Sequence, residues 1–358
     1  MVFTLRWGIL ACGGIAETFS KDLLLDPKTR GVSDVAHIVQ AVASSSSLKK
    51  AQDFADRIGD GKKHEFTAYG SYEELVKDPK VDIVYVASPH SHHYEHTLLC
   101  LRHGKHVCCE KAFTINGKQT AHLIKVAKEK KLFLMEAVWT RFFPSTIALR
   151  KLIHEDRILG RIHRVFSDVG VSFKPDPSHR LYAPELGGGA ALDLGIYALT
   201  WQMMTLHQDP ANKGGAPEVT GSILKTPLTG VDEFTTMTLN FPNMHAQGIA
   251  TCSISVATDH ECCCRIQGEK GEVVVPWPPF CPPMFKIHLH GQPVEEKKFD
   301  IPGKGMFYEA DACARSIRDG NLEAELCPLV DSQLTMDILD QVRAQGKFRY
   351  PEALEATE

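Results

Sequence analysis

Phe3-Thr4-Leu5-Arg6-Trp7-Gly8-Ile9-Leu10 runs directly into Ala11-Cys12-Gly13-Gly14-Ile15-Ala16. The first eight residues read as an apolar strand, and a helical pattern follows over residues 17–25. A turn of small residues between such elements lets phosphate oxygens accept hydrogen bonds from the free N–H groups of the helix N-terminus. The dinucleotide fingerprint G-x-G-x-x-G/A is present in degraded form, Ala11-x-Gly13-x-x-Ala16, with alanine in place of the first glycine and at the third position. Small residues here also simply pack a helix onto a strand. The strand before and the helix after favour the dinucleotide.

Outward from this turn the alternation continues. Strands are expected at residues 37–43, 81–87, 106–109 and 132–136, and helices at 48–58, 72–76, 94–103 and 116–130. The near-continuous β-branched run VDIVYVA suits a parallel strand buried on both faces. Strands and helices joined by short links predict a doubly wound parallel sheet. Where the second strand ends, Ala43-Ser44-Ser45-Ser46-Ser47-Leu48-Lys49-Lys50 has no acid to hold a ribose 2′-hydroxyl. Serines followed by two lysines suit a 2′-phosphate, so NADP is favoured over NAD. The same residues also read as a polar loop, with Ser47 capping the next helix.

After residue 140 the pattern changes. Period-two alternation over residues 161–173 and 250–256, with further strand candidates at 234–241, 263–267, 272–275 and 285–290, predicts a second, mostly antiparallel sheet. The division is a cofactor domain over residues 1–138 and a substrate-binding and oligomerisation domain over 139–358. Helices are expected at 185–206, 307–319 and 329–345. Pro276 to Pro283, PWPPFCPP, cannot join a central strand, because each proline removes a ladder donor, and reads as a surface loop. Gly187-Gly188-Gly189 leads into a helix on which Asp193 and Tyr197, four apart, share a face. On spacing alone that pair could be a structural hydrogen bond.

The 358 residues are 43% hydrophobic and 23% charged, with 40 Lys and Arg against 44 Asp and Glu. A net charge of −4 leaves no basic footprint for nucleic acid or anionic lipid. No stretch approaches the roughly 20 apolar residues of a membrane helix. The first ten residues lack an export signal, so the eleven cysteines are expected to be reduced, in the cytoplasm. Cys108-Cys109 and Cys262-Cys263-Cys264 are adjacent runs without CxxC spacing and read as packing residues. His92 and His96 have the helical spacing of a metal pair but no third ligand, and no metal is expected. Cys12, inside the phosphate turn, is a candidate for sensitivity to thiol reagents.

Ser88-Pro89-His90-x-x-His93, Glu110-Lys111-Ala112, the segment Gly187 to Tyr197 and Glu309-Ala310-Asp311 together resemble the glucose–fructose oxidoreductase / inositol dehydrogenase family. Glu136-Ala137-Val138-Trp139-Thr140-Arg141-Phe142-Phe143-Pro144 is similar to the branch of dimeric dihydrodiol dehydrogenases and NADP-dependent D-xylose dehydrogenases. The resemblance covers nearly the whole chain. It implies an N-terminal Rossmann domain and a C-terminal α/β domain whose open sheet makes a homodimer contact. By position it implies that Gly13, Gly14, Ile15 and Ala16 cradle the pyrophosphate and that Ser44 and Ser45 lie by the adenosine ribose. Ser88, Pro89 and His93 would line the cofactor cleft, with Glu110 and Lys111 beside the nicotinamide. Asp193 and Tyr197 would face it, Trp139 and Arg141 would close the nicotinamide end, and His179 and Arg180 would reach substrate. Ala112 stands where many members have proline, which puts the backbone at Lys111 in question. Tyr197 stands where inositol-type members have histidine, which favours the sugar and dihydrodiol branch.

Oxidising a hydroxyl by hydride transfer needs a base for the O–H proton. Tyrosine, with an ordinary pKa near 10, becomes useful when a lysine ammonium and a nicotinamide cation favour the phenolate. Lys111 and Tyr197 are therefore the expected catalytic pair. The implied substrates are an aldopyranose such as D-xylose, then a trans-dihydrodiol, then a ketosugar to be reduced. A non-catalytic dinucleotide-binding regulator would be expected to lack one of the pair.

Overall fold

A computed structural model describes residues 2–59 and 66–358. Strands β1 (Phe3–Leu10), β2 (Val35–Ala43), β3 (Thr67–Tyr69), β4 (Ile83–Val86), β5 (His106–Glu110) and β6 (Leu134–Ala137) form one sheet in the order β3-β2-β1-β4-β5-β6. Every pairing in it is parallel. Helices α1 (Gly14–Leu23), α2 (Leu48–Gly59), α3 (Tyr72–Lys77), α4 (His90–Arg102) and α5 (Gly117–Lys130) link the strands. Both faces are covered, which is why β4 is apolar throughout. Cys108 and Cys109 show the same thing: they are adjacent, fully buried, and packed in separate cores on the two sides of the sheet. The strand order reverses between β1 and β4, and such sheets bind ligands outside the strand ends at that point.

The chain then passes through a 3₁₀ turn at Trp139–Phe142 and helix α6 (Pro144–His154) into the second sheet. Its strands are β7 (Ile162–Gly170), β8 (Glu218–Lys225), β9 (Asp232–Phe241), β10 (Ala246–Ser253), β11 (Cys264–Gly268), β12 (Gly271–Val275), β13 (Met284–Leu289) and β14 (Glu295–Lys298). They lie in the order β14-β13-β12-β11-β7-β10-β9-β8, all antiparallel except β7 with β10. Helix α7 (Ile196–Gln202) packs against β7 and β10. Helix α8 (Phe307–Arg318) returns to the first sheet, where Ala310, Cys313 and Ala314 join Trp7, Phe19 and Val39 in one core. Residue 138 therefore marks the passage between sheets, while residues beyond 300 complete the first core. Helix α9 (Leu329–Gln345) packs on β8 and α5, and a short α10 (Glu352–Glu355) follows.

Three local expectations change. The helix expected from residue 185 begins only at Ala191, through a wide turn at Ala191–Gly195, and ends in another at Met203–His207. Gly189 has φ +117, and a Cβ there would lie 1.9 Å from Asp232 Oδ1, so the glycine run is a close backbone approach and not a helix. Helix α4 begins at His90 rather than Tyr94, with Pro89 as its N-cap, which places four histidines on its first two turns. The PWPPFCPP segment stays out of the ladder, yet Pro276, Pro279 and Pro282 are buried, so it is not a surface loop.

Candidate active site

The first turn has the geometry of a phosphate cradle. Ala11 adopts φ +87, the conformation that glycine adopts at no steric cost, so the backbone of the fingerprint is kept although its first glycine is not. Gly13 and Gly14 are exposed, with nothing within 4 Å of where a Cβ would stand, and no side chain caps the first amides of α1. Ile15 is exposed and Ala16 is fully buried beneath the turn. Ser44 is buried at the end of β2 and accepts from the Ser46 amide at 3.4 Å, whereas Ser45 is exposed. Ser47 Oγ accepts from the Lys50 amide at 3.4 Å and so caps α2. Lys49 is paired with Asp53. Burial pushes the Cys12 thiol up to about 11 against the weaker pull of Arg57 and Lys50. The same burial keeps Cys12 protonated, so the expected reactivity toward thiol reagents is not supported.

At the far end of the cleft, Ser88 and Pro89 leave β4 and His93 reaches back between two loops. Its ring nitrogens meet the carbonyls of Ala112 and Ser88, both at 2.8 Å. The first of these holds the Ala112 carbonyl, one residue beyond Lys111, and the Lys111–Ala112 bond is cis. Lys111 Nζ donates to the Asp193 carbonyl at 2.8 Å and lies 3.3 Å from Asp193 Oδ1. The same ammonium is 4.6 Å from the centre of the Tyr197 ring. Arg180 grips the Asp193 carboxylate with two bonds of 3.1 and 3.2 Å. Trp139 Nε1 donates to the Tyr197 hydroxyl at 2.9 Å. Residues from the first sheet (Lys111), its exit turn (Trp139) and the second domain (Arg180, Asp193, Tyr197) thus meet at one point.

Charge is distributed unevenly here. Burial would raise the Asp193 carboxyl, but Lys111 and Arg180, helped by His90, outweigh it and hold it well below the usual carboxylate range. Burial, the Glu110 carboxylate and Asp193 push the Tyr197 phenol well above 10, while the Trp139 hydrogen bond opposes them. Tyr197 is therefore a phenol in the free protein and not the phenolate that proximity to lysine suggests, because burial and the nearby carboxylates, Glu110 foremost, disfavour a second negative charge. Burial also raises Glu110, against Lys111 and the hydroxyl of Tyr85, which donates to it. His90 is pushed down to about 3 by burial and by His93, so it is neutral.

Two expected residues are placed elsewhere. Arg141 is 2% exposed, and its guanidinium binds Asp331 at 2.8 Å and the Leu326 carbonyl. It anchors the turn that carries Trp139 to the start of α9 and does not face the cleft. His179 is exposed and packs on Phe173 with ring centres 5.7 Å apart, while its neighbour Arg180 alone reaches Asp193. One site residue lay in the proline-rich segment: the Phe280 ring stands 5.4 Å from Tyr197 and stacks near-parallel on Trp139 at 6.1 Å. The strong aromatic content of PWPPFCPP was a signal that the ladder argument passed over. Among the described residues, no group of three His, Cys, Asp or Glu could hold a metal ion.

The profile of the oxidoreductase family with an NAD-binding Rossmann fold matches residues 5–138, and that of the GFO/IDH/MocA C-terminal domain matches residues 146–274. The chain belongs to the GFO/IDH/MocA oxidoreductase family. A relative from this family, the D-xylose 1-dehydrogenase (NADP(+)) of Hypocrea jecorina, is 46% identical, with 98% of this chain and 94% of the relative covered. The trans-1,2-dihydrobenzene-1,2-diol dehydrogenase of Sus scrofa is 34% identical, with 97% and 98% covered. Among solved structures, an aldose-aldose oxidoreductase from Caulobacter crescentus superposes with a TM-score of 0.78 at 24% identity, over 96% of this chain and 98% of that one. The last comparison speaks to the fold alone.

Proposed function

We propose that this GFO/IDH/MocA member is an NADP-dependent dehydrogenase that oxidises C1 of an aldopyranose of the D-xylose type to the lactone. The observation that carries the reading is the convergence of Lys111, Asp193 and Tyr197 from two domains on one cleft. It is supported by the 46% identity to a D-xylose 1-dehydrogenase (NADP(+)) over nearly the full length. The open cradle at Gly13 and Gly14 fits a pyrophosphate, and Lys50 near an acid-free serine loop fits a 2′-phosphate. NADP⁺, when bound, supplies the hydride acceptor at nicotinamide C4.

The rest of the chemistry belongs to the chain. As the C1–H bond is given up, the C1 hydroxyl proton passes to Tyr197 Oη and the C1=O bond forms. Trp139 Nε1 holds that oxygen in place and stabilises negative charge on it. Tyr197 becomes a base by releasing its own phenol proton to solvent once positive charge enters the cleft and offsets burial, Glu110 and Asp193, which otherwise raise its pKa. Asp193 fixes the Lys111 ammonium against the Tyr197 ring. Arg180, with half of its side chain exposed, is the group at the mouth that can meet substrate hydroxyls.

A second reading, a trans-dihydrodiol as substrate, is favoured by the stacked Trp139 and Phe280 rings beside Tyr197, which give the site an aromatic character, and by the 34% identity to dihydrodiol dehydrogenases. A homodimer through the outer face of the second sheet and a cytoplasmic location complete the proposal. The test is an absorbance assay of the purified protein with NADP⁺ or NAD⁺ against aldoses, inositols and a trans-dihydrodiol. Turnover of an aldopyranose with NADP⁺ is expected. No reduced nicotinamide with any of them would leave a binding protein as the better account.

A further inference from the structure

The segment between β12 and β13 carries five prolines in eight residues, and the structure shows what they hold in place. Trp201 Nε1 donates to the Pro279 carbonyl at 3.1 Å, Thr140 Oγ1 to that of Phe280 at 2.6 Å, and Ser145 Oγ to that of Pro282 at 2.6 Å. The Trp277 amide is tied to the His260 carbonyl at 2.9 Å. On this frame the aromatic rings form a row. Phe280 is 5.4 Å from Tyr197, Trp277 meets Phe280 edge-on at 5.3 Å and 84°, and His260 stacks on Trp277 at 5.2 Å and 10°. The row begins at the buried Tyr197 and ends at the exposed His260, with Trp277 half-buried between them.

Packing alone does not require the outer half of this row. A half-buried indole leaves apolar area in water, and nothing among the described residues accepts a hydrogen bond from its N–H. A ring fixed in place with a free N–H at its edge is suited to a pyranose, whose C–H face lies on an aromatic plane while a hydroxyl accepts from the N–H. A single aldose with its C1 at Tyr197 occupies the stretch beside Phe280, and the next centroid step outward leads to Trp277.

We propose that Trp277, backed by His260, is an outer subsite that binds the second pyranose ring of a disaccharide whose reducing-end aldose is oxidised beside Tyr197. The inference rests on the aldose reading above and extends it to the length of the substrate. The test compares D-xylose with its β-1,4-linked disaccharide in the full chain with saturating NADP⁺. The wild type is expected to show the higher kcat/KM for the disaccharide. Trp277→Ala should remove that advantage, roughly three- to tenfold and through KM, while D-xylose kinetics stay within about twofold. Trp277→Phe and His260→Ala should each lose part of it, and they keep the test available if the alanine variant does not fold. An equal loss for both sugars in the variants, or a wild type that gains nothing from the second ring, would overturn the subsite while leaving the aldose reading intact. A wild type that turns over neither sugar overturns both.

Discussion

Replacing Tyr197 by phenylalanine separates chemistry from binding. The substitution removes one oxygen, 2.9 Å from Trp139 Nε1, and keeps the ring on which Lys111 rests at 4.6 Å and which packs on Phe280 at 5.4 Å. Loss of a positioned proton acceptor costs about a hundred- to ten-thousand-fold in kcat, which corresponds to about 3–5 kcal/mol of barrier. The indole N–H of the half-buried Trp139 loses its partner, so stability should fall by about 1 kcal/mol. Affinity for NADPH should change by less than about threefold, because the phosphate turn and the serine loop are untouched. Stopped-flow or steady-state absorbance with saturating NADP⁺ measures kcat, urea unfolding the stability, and nicotinamide fluorescence the affinity. A variant that keeps kcat within about tenfold of wild type would refute the role of Tyr197 as the proton carrier.

Four further outcomes follow from the same geometry. Because burial, Glu110 and Asp193 raise the Tyr197 phenol above 10, the phenolate fraction of the free enzyme grows with pH throughout the neutral range. Thus kcat/KM for hydroxyl oxidation should climb without a plateau from about pH 6 to about pH 9, while carbonyl reduction, which needs the phenol, should show no such rise. Lys50→Ala should raise KM for NADP⁺ by about tenfold and leave that for NAD⁺ unchanged, since a 2′-phosphate is the group it would meet. Asp331→Asn removes the charge partner of the buried Arg141 guanidinium, leaving it the Leu326 carbonyl and an amide oxygen, and should cost about 3 kcal/mol in urea unfolding, read beside a KM for cofactor that moves much less. Burial pushes Asp232 up to about 7, so the folded chain binds this proton more tightly than the unfolded chain, whose value is near 3.8. Stability from this group is therefore fully present below pH 3.8 and is lost as pH rises toward 7, and Asp232→Asn should flatten that part of the stability–pH curve.

The first sheet was legible because its signal is local. A strand buried on both faces must be apolar along its length, and a turn that approaches phosphate must be small, so residues 3–16 and 81–87 announce themselves without knowledge of their neighbours. β3 was missed because three residues carry no periodicity. The glycine run was read as the start of a helix because nothing in the sequence shows that the Asp232 carboxylate stands 1.9 Å from the Cβ that residue 189 lacks. Arg141 was placed in the cleft because its motif neighbours line it, and only packing shows the guanidinium turned to Asp331, 190 residues away.

What the sequence by itself determined was the class of fold and a turn suited to a dinucleotide, while its resemblance to a family pointed to Lys111, Asp193 and Tyr197 as the groups expected to do chemistry. These depend on residue type and on spacing along one element, which the chain carries openly. The tertiary structure alone decided that Asp193 pairs with Lys111 at 3.3 Å, that Tyr197 is buried near Glu110 as a phenol held by Trp139, and that a proline-rich segment supplies an aromatic ring beside it. Those facts are distances between residues about 50 to 90 positions apart in sequence. Electrostatic and packing energies depend on separation in space and on burial, and neither is written in the order of residues along the chain.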